Sequence, residues 1–213
     1  MWEKEYKRNK FYWGLKPHPV LSKFISLIPK GVALDIGAGE GRNSFFLVKN
    51  GFSVEAVDKV TEGLKKISKF SKENKRSIRV IEKDITRFRF SKEKYSLVVA
   101  ISVLDFLKKS QILKLAEKIK LSLKTGGFVF LSVFSVKDDT FIKIKEKGIR
   151  EIEENTFFLK KMGVIRHFFT TEELKEIFED FKIIYLKQKK IEDKSHGDPH
   201  FHNVINFLAR KKR

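Results

Sequence analysis

The chain has 213 residues, 41% of them hydrophobic, with 46 Lys and Arg against 27 Asp and Glu and no cysteine. That hydrophobic content supports a sizeable core and excludes a disordered polymer, and the missing cysteines exclude a disulfide framework, a thiolate metal site and a cysteine nucleophile. No apolar run approaches the roughly 18 residues of a membrane-spanning helix, and the opening MWEKEYKRNKFYWG lacks the apolar stretch of a secretory signal, so a cytoplasmic location is expected.

Strands and helices alternate along most of the chain, the pattern of a mainly parallel α/β sheet covered on both faces. Leu21, Phe24, Ile25 and Ile28, at i, i+3, i+4 and i+7, predict an opening amphipathic helix, with Pro17 and Pro19 before it and Pro29 closing it. A short apolar strand, Val32 to Ile36, runs into a glycine-rich turn, and a helix over Gly41 to Lys49 stops at Asn50-Gly51. Ser53 to Asp58 is the second strand, and Val60, Leu64 and Ile67 mark a helix with a basic outer face. Ile78 to Glu82 is the third strand, and Tyr95 to Ile101, a continuous apolar run, is a fourth strand buried on both faces. Ile112, Leu115, Ala116, Ile119 and Leu123 form a helical stripe ended by Thr125-Gly126-Gly127, before a fifth strand over Phe128 to Val133. Ser135 to Phe169 has weak periodicity and several aromatics, and Thr170-Thr171-Glu172-Glu173 is a capping box for a helix with Leu174, Ile177 and Phe178 on its apolar face. Two last strands, Phe181 to Lys189 and Asn203 to Ala209, are joined by a polar loop too short for a crossover helix, so they should pair antiparallel.

The formal net charge of +19 is uneven: between Lys59 and Lys94 stand 13 basic and 5 acidic residues. A basic surface concentrates anions, nucleic acid included. Few aromatics interleave with these bases, which favours a solvated, lysine-rich surface over a nucleic-acid platform.

The strongest chemical signal is Ala33-Leu34-Asp35-Ile36-Gly37-Ala38-Gly39-Glu40-Gly41-Arg42-Asn43, where the first strand becomes the first core helix. Glycines there let the backbone turn tightly and approach a ligand. The spacing is G-x-G-x-G, whereas the dinucleotide fingerprint has its third glycine one residue later and sets a pyrophosphate over the helix terminus. S-adenosylmethionine carries no phosphate, and a turn of this kind need only admit an amino-acid tail and a ribose. Asp58 closes the second strand, where a carboxylate can accept both ribose hydroxyls. Asp84-Ile85 follows the third strand, in reach of an adenine amino group. Either acid alone would be taken for a helix cap; the ordered set is much more specific.

The run Leu34-Asp35-Ile36-Gly37-Ala38-Gly39-Glu40-Gly41-Arg42-Asn43-Ser44 resembles motif I of the class I methyltransferases, and its Gly-Arg-Asn continuation resembles their tellurite-resistance methyltransferase-like branch. Tyr12-Trp13-Gly14, Val103-Leu104-Asp105-Phe106-Leu107, Gly126-Gly127, Phe169-Thr170-Thr171-Glu172-Glu173-Leu174 and the closing His196-Gly197-Asp198-Pro199-His200-Phe201-His202 fit the same branch, so the resemblance covers nearly the whole chain. It implies one methyltransferase domain over 1–213, with 1–30 as a lid and 135–169 as a substrate-side insertion. The implied fold is a doubly wound, seven-stranded, mainly parallel sheet of order 3-2-1-4-5-7-6, its last strand antiparallel and helices on both faces. It further implies that Gly37, Gly39 and Gly41 flank the methionine tail of S-adenosylmethionine, that Asp35 acts near its amino group, and that Ile101 or Ser102 lines the site. Asp105 stands where related sequences often have histidine, which puts a base role there in doubt.

Three of the five histidines, His196, His200 and His202, lie within seven residues, together with Asp198. The hairpin argument sets them at the carboxyl edge of the sheet, where ligands bind in open α/β folds. They are candidates for an acceptor-pocket wall, with His200 the candidate catalytic proton acceptor; the competing account is a polar loop without a ligand. No carboxylate-histidine helix motif is present, so a metal site is the least favoured reading of the cluster and no metal is assigned. Tyr12, Trp13 and His18 are candidates for a lid over the cofactor, while Arg166 and His167 are candidates for facing the substrate, with solvated loop residues the favoured reading of both. The expected function is S-adenosylmethionine-dependent methyl transfer to a small acceptor such as an oxyanion or a thiol. The alternatives are an RNA methyltransferase using the Lys59–Lys94 surface and a cofactor-binding protein without catalysis. Methylation of RNA pyrimidines at C5 is excluded with the cysteines.

Overall fold

A computed structural model describes residues 2–7, 10–74, 77–160, 162–193 and 200–212. Its main sheet carries β1 (Val32–Ile36), β2 (Ser53–Asp58), β3 (Ile78–Glu82), β4 (Tyr95–Ile101) and β5 (Leu123–Phe134), all parallel, then β9 (Phe181–Asp193) and β10 (His200–Lys211). The spatial order is β3-β2-β1-β4-β5-β10-β9, and β10 runs antiparallel to both neighbours. This is the expected seven-stranded order. A second sheet of three short antiparallel strands, β6 (Glu151–Glu153), β7 (Thr156–Leu159) and β8 (Val164–His167), follows β5.

Alternation along the strands assigns the two faces. Leu34, Ile36, Val98 and Ala100 pack under α5 (Lys109–Ser122) and α7 (Thr171–Ile177), through Ile112, Leu115, Ile119 and Leu174. Ala33, Val54, Ala56 and Val99 face α2 (Pro19–Phe24), α3 (Arg42–Lys49) and α4 (Thr61–Glu73), through Leu21, Leu47, Leu64 and Ile67. Thr170 caps α7 as its capping box predicts, its hydroxyl accepting from Glu173 N at 3.0 Å.

Several elements depart from the sequence reading. The opening helix is shorter, because Ile28 is already extended before Pro29 and the last turn tightens to a 3-10 turn over Ile25–Leu27. A further short helix, α1 (Trp2–Tyr6), precedes it. α5 passes directly into β5, and Gly126-Gly127 sit in a bulge within that strand, where pairing with β4 slips between Tyr95 and Leu97. The weakly periodic 135–169 stretch folds as α6 (Asp139–Glu146) and the small sheet, around Ile144, Phe157 and Phe168. The expected polar loop near the end is mostly strand, so His200 and His202 stand on β10. Among the described residues no helix is long and apolar enough to cross a membrane.

Candidate functional site

The carboxyl ends of β1, β2 and β4 and the loop after β3 build one side of a cavity of about 600 Å3, inside the roughly 300–1,000 Å3 range of small-molecule sites. The turn after β1 is pinned to β2: Gly37 N and Ala38 N donate to Val57 O at 2.8 and 3.1 Å. Gly37 has φ +65°, and a Cβ there would stand 2.2 Å from Val103 Cγ2, so only glycine fits beneath the segment after β4. Gly39 also lines the cavity, but Gly41 does not; its missing Cβ makes room for Ile67 and Phe45 instead.

Asp35, Asp58 and Asp84 are among the acids that line this cavity. Asp35 is 2% exposed and accepts from Ser44 Oγ at 2.6 Å. Burial pushes its carboxyl up to about 6; the Ser44 bond opposes that rise and nearby Asp58 adds to it. Asp58 accepts from Gly39 N at 2.8 Å and from Val60 N at 2.9 Å, one bond per oxygen. Each carboxylate oxygen keeps a further lone pair for a ligand. Asp84 caps a 3-10 turn, accepting from Thr86 N and Thr86 Oγ1 at 2.9 and 2.6 Å, and the Thr86 hydroxyl holds its carboxyl below the usual range. Ile85, Ile101 and Ser102 complete this wall, Ser102 in the left-handed region at φ +51°.

The opposite wall comes from Trp2, Tyr6, Trp13 and Phe106, with Met162 and Val164 beside β8. Trp2 gathers the rings: it stacks on Tyr6 at 6.0 Å and meets Trp13 at 5.5 Å and the edge of Phe106 at 6.4 Å. Glu40, 3% exposed, clasps this amino-terminal segment to the glycine turn, accepting from Tyr12 N at 2.6 Å and from Lys66 Nζ at 2.5 Å. Tyr12 packs on Trp13 without reaching the cavity. His18 is also off the wall. It caps α2, its Nδ1 accepting from Val20 N at 3.3 Å, its ring lies 5.1 Å from that of Phe130, and burial lowers its pKa to about 4.

Behind Phe106 the structure corrects the expectation of solvated Arg166 and His167, since β8 turns both inward. Arg166 lies over the rings of Phe106 and Phe134 at 4.3 and 4.8 Å, and its buried Nη1 has no hydrogen-bond partner among the described residues. Asp105 is fully buried and accepts from Phe134 N at 2.7 Å, while its Oδ2 also lacks a partner. Burial pushes this carboxyl up to about 6, against the pull of Arg166. His167 is held between Thr156 Oγ1 at 2.7 Å and the Glu173 carboxylate at 3.2 Å, a structural position.

His200 and His202 are brought together, Nε2 to Nε2 at 3.1 Å, but neither lines the cavity. His202 packs on Phe134 at 4.7 Å, the ring that Arg166 also covers. His196 and Asp198 lie outside the described residues. Within the basic Lys59–Lys94 stretch, Lys65 pairs with Glu62, Lys66 with Glu40, and Arg79 and Lys94 with Glu55. Sequence reasoning did not single out Trp2, Tyr6, Glu40, Arg42 or Phe106 as site residues. Glu40 and Arg42 were within the motif itself, whereas the α1 rings carry no periodic signal.

A family model described as tellurite resistance protein TehB matches residues 2–145, more than half of the chain. O-methyltransferase 3 of Dictyostelium discoideum is 32% identical over 83 residues, which span 39% of this chain and only 19% of that protein. A methyltransferase structure from Methanosarcina mazei superposes with a TM-score of 0.73 at 20% identity, covering 93% of this chain and 99% of that one. TehB from Haemophilus influenzae gives 0.71 at 19%, covering 99% and 66%, so this chain spans just under two thirds of it. The N-methyltransferase NodS from Bradyrhizobium japonicum, in complex with S-adenosyl-L-homocysteine, gives 0.70 at 13%, covering 100% and 97%.

Proposed function

We propose that this chain, which belongs to the tellurite resistance protein TehB family, transfers the methyl group of S-adenosylmethionine to a small acceptor by direct displacement. The observation that carries the reading is the ordering of a glycine turn, Asp35, Asp58 and Asp84 around one cavity. A buried carboxylate that resists ionisation suits a cationic amino group, which would restore its charge; Asp35 holds that place. Asp58 has lone pairs left for both ribose hydroxyls, and Asp84 with Ile85 stands where an adenine would lie. Gly37 and Gly39 flank the methionine tail, with Ile101 and Ser102 beside it, and Gly41 shapes the turn. The fold neighbour that carries S-adenosyl-L-homocysteine supports the same cofactor class.

The cofactor, when bound, supplies the electrophilic methyl. The chain supplies alignment and a dry chamber. Trp2, Tyr6 and Trp13 shield the strand ends from water, and Met162 and Val164 wall the acceptor side. Arg166, buried behind Phe106 with an unsatisfied N–H, adds positive potential on the acceptor side, which favours an anionic acceptor such as an oxyanion or thiolate. Displacement needs no invariant general base, and His200 stands off the cavity wall. The enclosing aromatic wall and the paired lysines favour a small molecule over RNA.

Calorimetry with S-adenosylmethionine and NAD, followed by transfer of labelled methyl to a panel of oxyanions, thiols and RNA, tests this. The expected outcome is binding of S-adenosylmethionine alone and label on a small acceptor. NAD binding without S-adenosylmethionine binding would end the cofactor reading, and label on RNA alone would end the small-acceptor reading.

A further inference from the structure

We propose that Asp193, His200 and His202 form a binding site for a first-row divalent cation of the zinc type, with Asp138 as the residue that positions His202. The site follows from strand register. Antiparallel pairing sets His200 directly opposite Asp193. His202, two residues on, falls on the same face of β10. One ligand atom from each residue lies within 4.8 Å of the others. The two Nε2 atoms are 3.1 Å apart, close to the roughly 3.3 Å expected of two nitrogens bound at about 2.05 Å to one tetrahedral ion. The Asp193 carboxylate stands 4.0 Å from His202 Nε2, longer than that tetrahedral separation. Imidazole and carboxylate together suit zinc, cobalt or nickel, and three protein ligands leave a position open.

The second observation is how His202 is held. Its Nδ1 lies 3.1 Å from Asp138 Oδ2, and the Asp138 side chain is only 1% exposed. Asp138 is itself fixed, accepting from Thr140 N at 2.9 Å as the cap of α6 and from Asn203 N at 2.8 Å. The Phe134 ring braces the imidazole from the side. A carboxylate on Nδ1–H leaves the Nε2 lone pair of His202 aimed at His200 and Asp193, the outer-shell arrangement that orients metal-binding histidines. Two imidazole Nε2 atoms at this separation are joined either by an N–H hydrogen that one ring donates to the other's lone pair or by a cation. A cation replaces that proton and takes both lone pairs together with the Asp193 charge. None of the three ligands lines the cavity, so this site stands or falls apart from the cofactor reading.

The test uses the full chain, stripped with a chelator and dialysed, then titrated calorimetrically with zinc chloride. We expect one equivalent to bind the wild type, and His200→Ala and His202→Ala each to weaken binding by about a hundredfold or more. Asp138→Asn should keep the stoichiometry but lose about 10- to 100-fold in affinity. Cobalt(II) gives a second readout, a visible absorption band present in the wild type and absent in His202→Ala. His200→Gln, checked by circular dichroism, guards against a folding artefact. No binding by the wild type, or wild-type affinity in both histidine variants, overturns the site; full affinity in Asp138→Asn overturns the positioning role.

Discussion

The two walls of the cavity are held by different physics. On the strand-end wall the fixed points are backbone amides: Gly37 and Ala38 on Val57 O, and Gly39 and Val60 on Asp58. On the facing wall they are side chains gathered from distant segments, the rings of Trp2, Trp13 and Phe106, with the guanidinium of Arg166 packed behind Phe106. An amide-pinned turn admits almost no change of residue, whereas packed side chains tolerate exchange at similar volume. A scaffold serving one cofactor and many acceptors needs one wall of each kind.

The sharpest break of that contrast comes from Gly37→Ala. With φ at +65° and Val103 in the way, the variant should lose about 3 kcal/mol of stability and about a hundredfold in cofactor affinity. Denaturant titration and calorimetry check both, and a stable variant with normal affinity would mean the turn is not pinned. Asp58→Ala is the next largest. It strips two amides of their acceptor and the ribose of its bonds, each worth about 1.5–3 kcal/mol, so affinity should drop at least about tenfold in a protein that still folds. Unchanged affinity would assign the ribose to another residue.

Arg166→Met sharpens the comparison from the other wall. Turnover of an anionic acceptor should fall about tenfold while cofactor affinity stays within about twofold; equal loss of both would merge the two walls into one site. The smallest effect is a pH dependence. Asp35 has a folded pKa of about 6 against its ordinary 3.8. Its contribution to stability is therefore full below about pH 4 and lost as pH rises through about 6. At neutral pH Asp35→Asn should gain up to about 3 kcal/mol in stability without cofactor. Wild-type cofactor affinity should be about twofold weaker at pH 6 than at pH 7.5, because half the carboxyls are then protonated, and Asp35→Asn should flatten that profile. A sloped profile in the variant would place the titrating group elsewhere.

Legibility in the sequence follows the same division. β2, β3 and β4 fall where their apolar runs and bounding turns set them, and the glycine turn and its acids are local patterns with fixed spacing. The facing wall has no such pattern. α1 exists because Trp2 and Tyr6 pack on other rings, a cause that five residues cannot display by period. Arg166 was open to facing the substrate, but its packing against Phe106 depends on β8, which a weakly periodic stretch does not mark. The histidine pair was visible as composition. Its place on a strand opposite Asp193 depended on how far the β9–β10 pairing extends, which a polar sequence does not mark.

β9 touches the main sheet only through β10, which lies between it and β5. β9 therefore has no sheet to join until β10 is seated, whether β10 docks alone or already paired with β9. Until then β5 presents an open edge whose residues Phe128 to Val133 are all destined for burial. Such an edge pairs readily with another chain's strand. The folding intermediate most exposed to aggregation is thus a protein complete from β1 to β5, and a hairpin exchanged between two copies is its natural misassembly.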